Sequence, residues 1–237
     1  MSNFGSFVLV AALVMAPVSA IAQYTGGDVK DGGSISGTVK FKGTAPAPKK
    51  LDVGKDKEVC DKSPKFDQSL MVKDGNLANA VVTITDIKSG KKIDTKKVSL
   101  DQNGCEYKPH VLAFTAGTGV EILNPDGILH NIHSYSKVNS PFNQAQPKFK
   151  KSLDVKIEKP EVVEVKCDVH GWMHGWLVAT ANPYFAVTDG SGSFKLTDVP
   201  AGSYTVEVWH EKLGKSTQKV TVKAKEEAKA SFELAGK

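Results

Sequence analysis

The stretch VTDGSGSFKL, residues 187–196, decides how the rest of this 237-residue sequence is interpreted. Strand-like residues lie on both sides of Asp189-Gly190 and Gly192, which accept the positive φ angles that tight hairpin turns require. The pattern predicts a strand, a tight turn and a second strand. A further turn and strand follow at once in DVPAGSYTVEV, residues 198–208.

The same two-residue alternation recurs in short segments along the chain, separated by Gly, Pro, Asn and Asp, whereas no long segment carries an apolar stripe with helical spacing. This pattern is typical of all-β proteins. Residues 223–230 could also form a short helix, but we favour a strand there. Residues 43–68 are rich in Lys, Pro and Asp, and they predict a long irregular connection held by Cys60. The other predicted strands are residues 34–42, 80–86, 110–114, 119–124, 129–135, 152–157, 162–166 and 176–181.

The net charge of the chain is modest, +5 from 31 Lys and Arg against 26 Asp and Glu. The lysines are scattered and are not interleaved with aromatic residues on one segment, so the charge argues against nucleic-acid binding and favours a solvated surface. Such a surface could also receive an acidic redox partner.

An uncharged apolar run extends from residue 7 to residue 22, is interrupted by Pro17 and ends in Ala20-Ile21-Ala22. It fits the apolar core of a signal peptide cleaved before Gln23, although no Lys or Arg precedes it. The run is short for a membrane helix, which needs about 20 apolar residues. We therefore expect residues 1–22 to be removed, no stable membrane insertion afterwards, and a periplasmic or extracellular mature protein.

The loop CDVHGWM, residues 167–173, contains a thiolate, an imidazole and a thioether at regular spacing. With His130 from a predicted strand, it supplies the two imidazoles, the thiolate and the weak axial thioether of a blue-copper centre. Each of these side chains alone would more often serve packing or the surface, but the four together point to a metal. The sequence predicts one type 1 copper held by His130, Cys167, His170 and Met173.

The three cysteines can be divided between a disulfide and the metal. In an oxidising compartment Cys60 and Cys105 can pair while Cys167 remains a metal thiolate. In the alternative, Cys105 pairs with Cys167 and Cys60 is free. The sequence alone leaves both pairings open.

The remaining histidines also leave alternatives open. His133 lies three positions after the first predicted ligand, so strand alternation should turn it to the opposite face. His174 could replace Met173 as the axial ligand or act as an auxiliary ligand, and His110 could belong to an auxiliary site. His210 is expected at the surface.

The region from residue 107 to residue 176 resembles the cupredoxins, most closely the amicyanin-like ones. The resemblance lies in the spacing of the ligand loop and in the segments Ala116-Gly117-Thr118, Asn124-Pro125-Asp126 and His130-Asn131-Ile132-His133. It implies a Greek-key β-sandwich or barrel, and a hydrogen bond from Asn131 to the loop that carries Cys167. It also implies electron exit at the outer edge of His170, and a redox protein partner such as a c-type cytochrome or a dehydrogenase.

The flanking segments resemble a second family, the carboxypeptidase regulatory-like or transthyretin-like β-sandwich. In that family the early strands are followed almost directly in sequence by the Asp-Gly turn. Here the cupredoxin-like region with the predicted copper ligands lies between them. We therefore predict a cupredoxin domain, residues 91–182, inserted in or joined to one sandwich. The two parts of that sandwich are residues 32–89 and 183–237.

The function predicted from these features is exported one-electron transfer through Cu(I)/Cu(II) cycling, by a carrier and not an enzyme. A multicopper oxidase needs more histidines for its trinuclear cluster than the six in this chain, and hydrolase and nucleotide-binding motifs are absent from the sequence. One alternative is a copper-binding or storage protein. Another is a red-copper-like enzyme in which Met173 is not bound and water takes the open position.

Overall fold

The computed structural model describes residues 24–236, so the predicted signal peptide lies outside the described residues. These residues form twenty-one strands and one short helix, which confirms the predicted all-β class. Between residues 24 and 236, no helix has the length and apolar character needed to cross a membrane.

The elements fall into three groups along the chain. The first group is β1 (Thr25–Gly27), β2 (Gly33–Lys42), α1 (Lys57–Cys60), β3 (Val72–Lys73), β4 (Asn76–Leu77), β5 (Val81–Ile84) and β6 (Ser89–Lys91). The middle group is β7 (Val98–Gln102), β8 (Tyr107–Lys108), β9 (Val111–Thr115), β10 (Gly119–Leu123), β11 (His130–Ser134), β12 (Asn143–Gln146), β13 (Ser152–Lys156), β14 (Glu161–Lys166) and β15 (His174–Thr180). The last group is β16 (Phe185–Val187), β17 (Ser193–Val199), β18 (Gly202–His210), β19 (Gly214–Val222), β20 (Glu227–Lys229) and β21 (Phe232–Ala235).

Two sheets combine strands from the first and last groups. One has the order β16-β5-β18-β19, and in the other β2 pairs with β17, β4, β20 and β21, while β3 pairs with β4. Strands β1 and β6 form a separate parallel pair. These segments share one apolar core, which includes Ile35, Val82, Tyr184, Val206 and Phe232. Burying the alternate apolar side chains of both sheets is the main stabilising contribution here.

The middle group forms two sheets of its own, with the orders β13-β10-β7-β8 and β12-β11-β14-β15-β9. These two sheets enclose a second apolar core, separate from the first, which includes Leu100, Phe114, Ile122, Ile132 and Leu177. Cys167 and Met173 belong to the same buried cluster. The predicted ligand loop is therefore anchored in this core.

A smaller cluster joins the two cores, built on Val81, Val111 and Val178. Trp176 from the middle group and Trp209 from the last group meet edge to face there, with ring centroids 5.2 Å apart. Because the strands on either side of the middle group share sheets, we propose that residues 91–182 are an insertion. The host would be one sandwich made of residues 32–89 and 183–237.

The connection over residues 43–68 is largely irregular, as predicted, and contains only α1 and an isolated bridge between Lys50 and Phe66. The predicted disulfide between Cys60 and Cys105 is confirmed, and Cys167 is a free, buried cysteine. The alternative pairing of Cys105 with Cys167 is therefore wrong. Residues 227–229 form a strand, in agreement with the preferred interpretation of that segment.

Candidate metal centre

Two of the four predicted ligands come from neighbouring strand ends, and the other two lie in the loop that follows. His130 is the first residue of β11, and Cys167 directly follows β14, which pairs with β11. The loop then closes on itself, because the Met173 amide donates to His170 O at 2.8 Å and the Cys167 amide donates to Met173 O at 3.1 Å. Sheet pairing and loop closure thus bring the distant histidine to the cysteine.

The donor atoms of these residues converge in the interior. His130 Nδ1 lies 3.0 Å from His170 Nδ1, and Cys167 Sγ lies 3.7 Å from His170 Nδ1. Both histidines are fully buried and Cys167 is 2% exposed. A metal ion bonded to nitrogen at about 2.0 Å and to sulfur at about 2.3 Å holds sulfur and nitrogen roughly 3.7 Å apart at trigonal angles, and two nitrogens roughly 3.5 Å apart. The observed sulfur–nitrogen distance therefore suits one metal ion, and the two Nδ1 atoms would separate by about 0.5 Å to bind it.

Each histidine is held on its other ring nitrogen by a carboxylate. His130 Nε2 lies 3.0 Å from Asp126 Oδ2, and His170 Nε2 lies 2.8 Å from Asp56 Oδ2. When both Nε2 atoms carry the proton and donate it, both Nδ1 atoms present lone pairs to the same point. Two lone pairs at that separation repel each other unless a proton or a metal ion lies between the two rings. The donor set therefore fits a bound metal.

The electrostatics of the three donors favour a thiolate. Burial raises the pKa of Cys167, but hydrogen bonds with His130 and His170 outweigh burial and lower that pKa to about 6. Burial lowers the pKa of His130, and the hydrogen bonds to Asp126 and Cys167 outweigh it, so that this pKa is raised. At neutral pH Cys167 is therefore ready for metal ligation, which requires the deprotonated form.

Met173 and its neighbour His174 belong to different clusters of side chains. Met173 is 2% exposed and packs in the core that contains Cys167. His174 groups instead with His110 and Glu211, with one potential ligand atom of each within 4.8 Å of the others. The geometry thus gives no support to His174 as the axial ligand.

Asn131 links the histidine strand to the ligand loop. Its Oδ1 accepts the Asp168 amide at 2.7 Å, and its Nδ2 donates to Asp168 Oδ2 at 3.0 Å and to Asn143 Oδ1 at 2.7 Å. This is the cross-link that the resemblance implies. His133 lies on the exposed side of β11, where its Nδ1 is 3.1 Å from Asp168 Oδ1.

The edge of the His170 ring was expected to lie at the surface and to pass electrons to a partner, but the structure covers it. The outer edge of this ring does not reach the surface, because Asp56 caps its Nε2 and the ring is fully buried. Asp56 immediately precedes α1, whose last residue, Cys60, is bonded to Cys105. Trp172 Nε1 donates to Cys105 O at 3.1 Å on the same side. The disulfide therefore fixes the cover above the predicted metal site.

Sequence reasoning did not identify either carboxylate that holds the histidines. Asp126 had a usable signal, since it lies four residues before His130 in the Asn124-Pro125-Asp126 segment. Asp126 also accepts the amides of Gly104 and Cys105, both at 2.7 Å. It therefore connects the histidine strand with the disulfide.

Comparisons with known proteins agree with the resemblance of the C-terminal flank. Residues 177–235 match the carboxypeptidase regulatory-like domain family. No curated protein matches the chain.

Among solved structures, the chain is similar to a copper-containing nitrite reductase from Thermus scotoductus SA-01, with 21% identity and a TM-score of 0.34. That alignment covers 38% of this chain and 24% of the reductase, so the chain spans about a quarter of that protein's length. It is also similar to amicyanin from Paracoccus versutus, with 15% identity and a TM-score of 0.33, over 42% of this chain and 97% of amicyanin.

Proposed function

We propose that this chain is an exported type 1 copper protein that carries single electrons between redox partners. The ligands would be His130, Cys167, His170 and Met173. The proposal rests on one observation above all: two Nδ1 atoms and one cysteine sulfur converge in a buried space, with both Nε2 atoms held by carboxylates. Two imidazoles and a thiolate, with a weak axial contact, stabilise copper in both oxidation states.

The surroundings of the donors suit electron transfer, since they restrain the ligands. Asp126 and Asp56 orient the two rings, and Asn131 ties the strand to the loop. Ligands that stay in position when the copper changes oxidation state keep the reorganisation energy of electron transfer small. The partner would be a redox protein such as a c-type cytochrome or a dehydrogenase, met outside the cytoplasm after removal of residues 1–22.

A second candidate function is copper binding or storage, with the metal as cargo. It is favoured by the burial of the His170 ring beneath Asp56, which separates this ligand from solvent. The two functions differ in redox behaviour. A carrier must be oxidised and reduced reversibly, whereas a storage site can hold Cu(I) and never turn blue.

The deciding experiment is an optical and paramagnetic-resonance spectrum of the purified, copper-loaded full chain. The carrier proposal expects an intense visible charge-transfer band from thiolate to Cu(II), its loss in Cys167→Ser, and a reversible one-electron wave. A colourless protein that binds copper but cannot be oxidised would favour storage. Copper binding that persists unchanged in both His130→Asn and His170→Asn would overturn the assigned site altogether.

The axial position has its own test. Met173→Leu should leave copper bound and shift the reduction potential, because the axial ligand tunes that potential. Met173→Gln offers an oxygen donor of similar length as the matched variant. An unchanged potential and spectrum in both variants would favour an open, red-copper-like position.

A further inference from the structure

A second cluster of side chains that could bind a metal lies between the two sheets of the middle strand group and the sandwich formed by the flanking strands. His110 immediately precedes β9, His174 opens β15, and Glu211 immediately follows β18. The first two come from the middle group of strands and the third from the flanking sandwich. Glu211 is 101 residues from His110 in sequence, so only the tertiary fold brings them together.

The backbone holds the two histidines side by side. Trp176 N donates to His110 O at 2.9 Å, which fixes the start of β9 against β15. A Cβ added at Gly175 would lie 2.9 Å from His110 O, so this close approach depends on glycine. The imidazole rings of His110 and His174 consequently meet edge to face, with centroids 4.9 Å apart.

The carboxylate of Glu211 reaches both rings. One oxygen, Oε1, contacts His110 Nε2, and the other, Oε2, lies 3.8 Å from His174 Nε2. The latter distance is too long for a hydrogen bond. Two ligand atoms about 2.1 Å from one tetrahedral metal are roughly 3.4 Å apart. An ion that bridges this gap therefore needs a small inward movement of His174 Nε2 and Oε2, while His110 Nε2 and Oε1 move apart.

Burial makes the Glu211 carboxylate dependent on its partners, and His110 Nε2 serves only one of its two oxygens at hydrogen-bond distance. The Glu211 side chain is 4% exposed and that of His110 is 2% exposed. Among residues 24–236, the only basic nitrogen atoms within 4 Å of the Glu211 carboxylate oxygens are those of the two histidines. A buried carboxylate needs a positive partner or a proton. A divalent cation would neutralise it and use the free His174 nitrogen at the same time.

We propose that His110, His174 and Glu211 bind a second metal ion, a divalent cation of the borderline class such as Zn²⁺ or Cu²⁺. Two imidazoles and one carboxylate suit this class and leave one position for water or another small ligand. A cavity of about 20 Å³ borders His110, His174 and Met173, with room for roughly one water molecule. The site would join the middle strand group to the flanking sandwich and lie one residue from the predicted axial ligand of the first metal.

This proposal does not depend on the copper function. Its test uses the full chain with Cys167→Ser, which removes the thiolate of the first site, and Zn²⁺ as the probe. We expect one equivalent of Zn²⁺ in a calorimetric titration, with shifts of the imidazole proton signals of His110 and His174 in NMR spectra. Adding Glu211→Gln should weaken binding by roughly 100-fold or more, because losing an outer partner alone costs 10–100-fold.

Two further variants keep the test decisive. His133→Asn removes a half-buried histidine that also faces a carboxylate, and it should leave Zn²⁺ binding unchanged. If Glu211→Gln does not fold, His174→Asn replaces it, since the His174 side chain is 26% exposed and tolerates change more readily. The proposal is overturned if no Zn²⁺ binds, if the metal shifts only the signals of His130 and His170, or if Zn²⁺ affinity survives both substitutions.

Discussion

His170 Nε2 lies 2.8 Å from Asp56 Oδ2, although 114 residues separate the two along the chain. The contact orients the imidazole so that its Nδ1 faces Cys167 and His130. It also covers the His170 ring edge at which the sequence resemblance implied electron exit. One carboxylate on an irregular connection thus both positions a predicted ligand and restricts access to it.

Replacing Asp56 should therefore affect both copper affinity and access. Asp56 has φ 47°, a left-handed conformation in which glycine is unstrained, so Asp56→Gly removes the carboxylate without straining the backbone. Loss of a residue that hydrogen-bonds to a metal-bound histidine typically lowers metal affinity about 10–100-fold. We expect copper affinity to fall about tenfold, at the lower end of that range, because the Asp56 side chain is 36% exposed and water can replace part of its hydrogen bond. Electron exchange with a small soluble oxidant should become faster.

Copper affinity is measured by competition with a chelator, and exchange by stopped-flow absorbance. Asp52→Ala, at an exposed position of the same connection, is the matched control and should change neither quantity. Equal affinities for Asp56→Gly and the wild-type chain would mean that the hydrogen bond does not support the metal.

Sequence reasoning predicted the strands with strong alternation and the local ligand loop, because both signals depend on neighbours in the chain. The alternating residues of β10 and β13, for example, identify them as strands directly. By contrast, β12 reads Asn-Gln-Ala-Gln and was not predicted. It is an edge strand with three exposed residues, so its pairing with β11 leaves no apolar pattern.

Long-range contacts between polar residues were the other part that the sequence could not reveal. His210 was expected at the surface, and this was wrong: the residue is fully buried. Burial lowers its pKa to about 4, so it stays neutral inside the fold. Neither the burial of His210 nor the pairing of Asp56 with His170 produces a recognisable pattern in the neighbouring sequence, because each arises from packing of distant segments.

Glu161 should make stability depend on pH in acid. Its carboxylate accepts hydrogen bonds from Ser136 Oγ and from the amides of residues 137, 138 and 139. Burial raises its pKa, but the hydrogen bonds together outweigh burial and lower the pKa from 4.5 to about 2. The stabilisation is thus present above pH 4.5 and is lost as the pH falls toward 2.

We expect Glu161→Gln to reduce the free energy of unfolding by about 1 kcal/mol at pH 7, after allowing for solvent screening. Urea denaturation between pH 7 and pH 3 measures the difference, which should shrink below pH 4.5. Glu158→Gln, which breaks only an exposed ion pair with Lys156, is the control and should have little effect. A difference that stays constant down to pH 3 would contradict the role assigned to Glu161.

The disulfide should contribute strongly to stability because it closes a long loop. Cys60 and Cys105 are 45 residues apart, and a loop of this length corresponds to about 4 kcal/mol of lost chain entropy in the unfolded state. The double variant Cys60→Ala/Cys105→Ala should be destabilised by roughly 2–4 kcal/mol in urea denaturation. Chemical reduction of the wild-type chain is the parallel measurement. Equal stability of the oxidised wild-type chain and the double variant would contradict this expectation.

Asn131 is the residue whose loss should separate the histidine strand from the ligand loop. In Asn131→Ala the Asp168 amide loses its acceptor, which should cost about 1–3 kcal/mol of unfolding free energy in the metal-free chain. Copper affinity should fall roughly 10–100-fold, since the loop is then less well held. Asn143→Ala removes the exposed bond to Asp168 Oδ2 and the acceptor of Asn131 Nδ2, but it leaves the Asp168 amide bonded to Asn131 Oδ1, so it should have a smaller effect on both quantities. If Asn143→Ala weakens copper binding as much as Asn131→Ala, the link through the Asp168 amide is not what holds the site together.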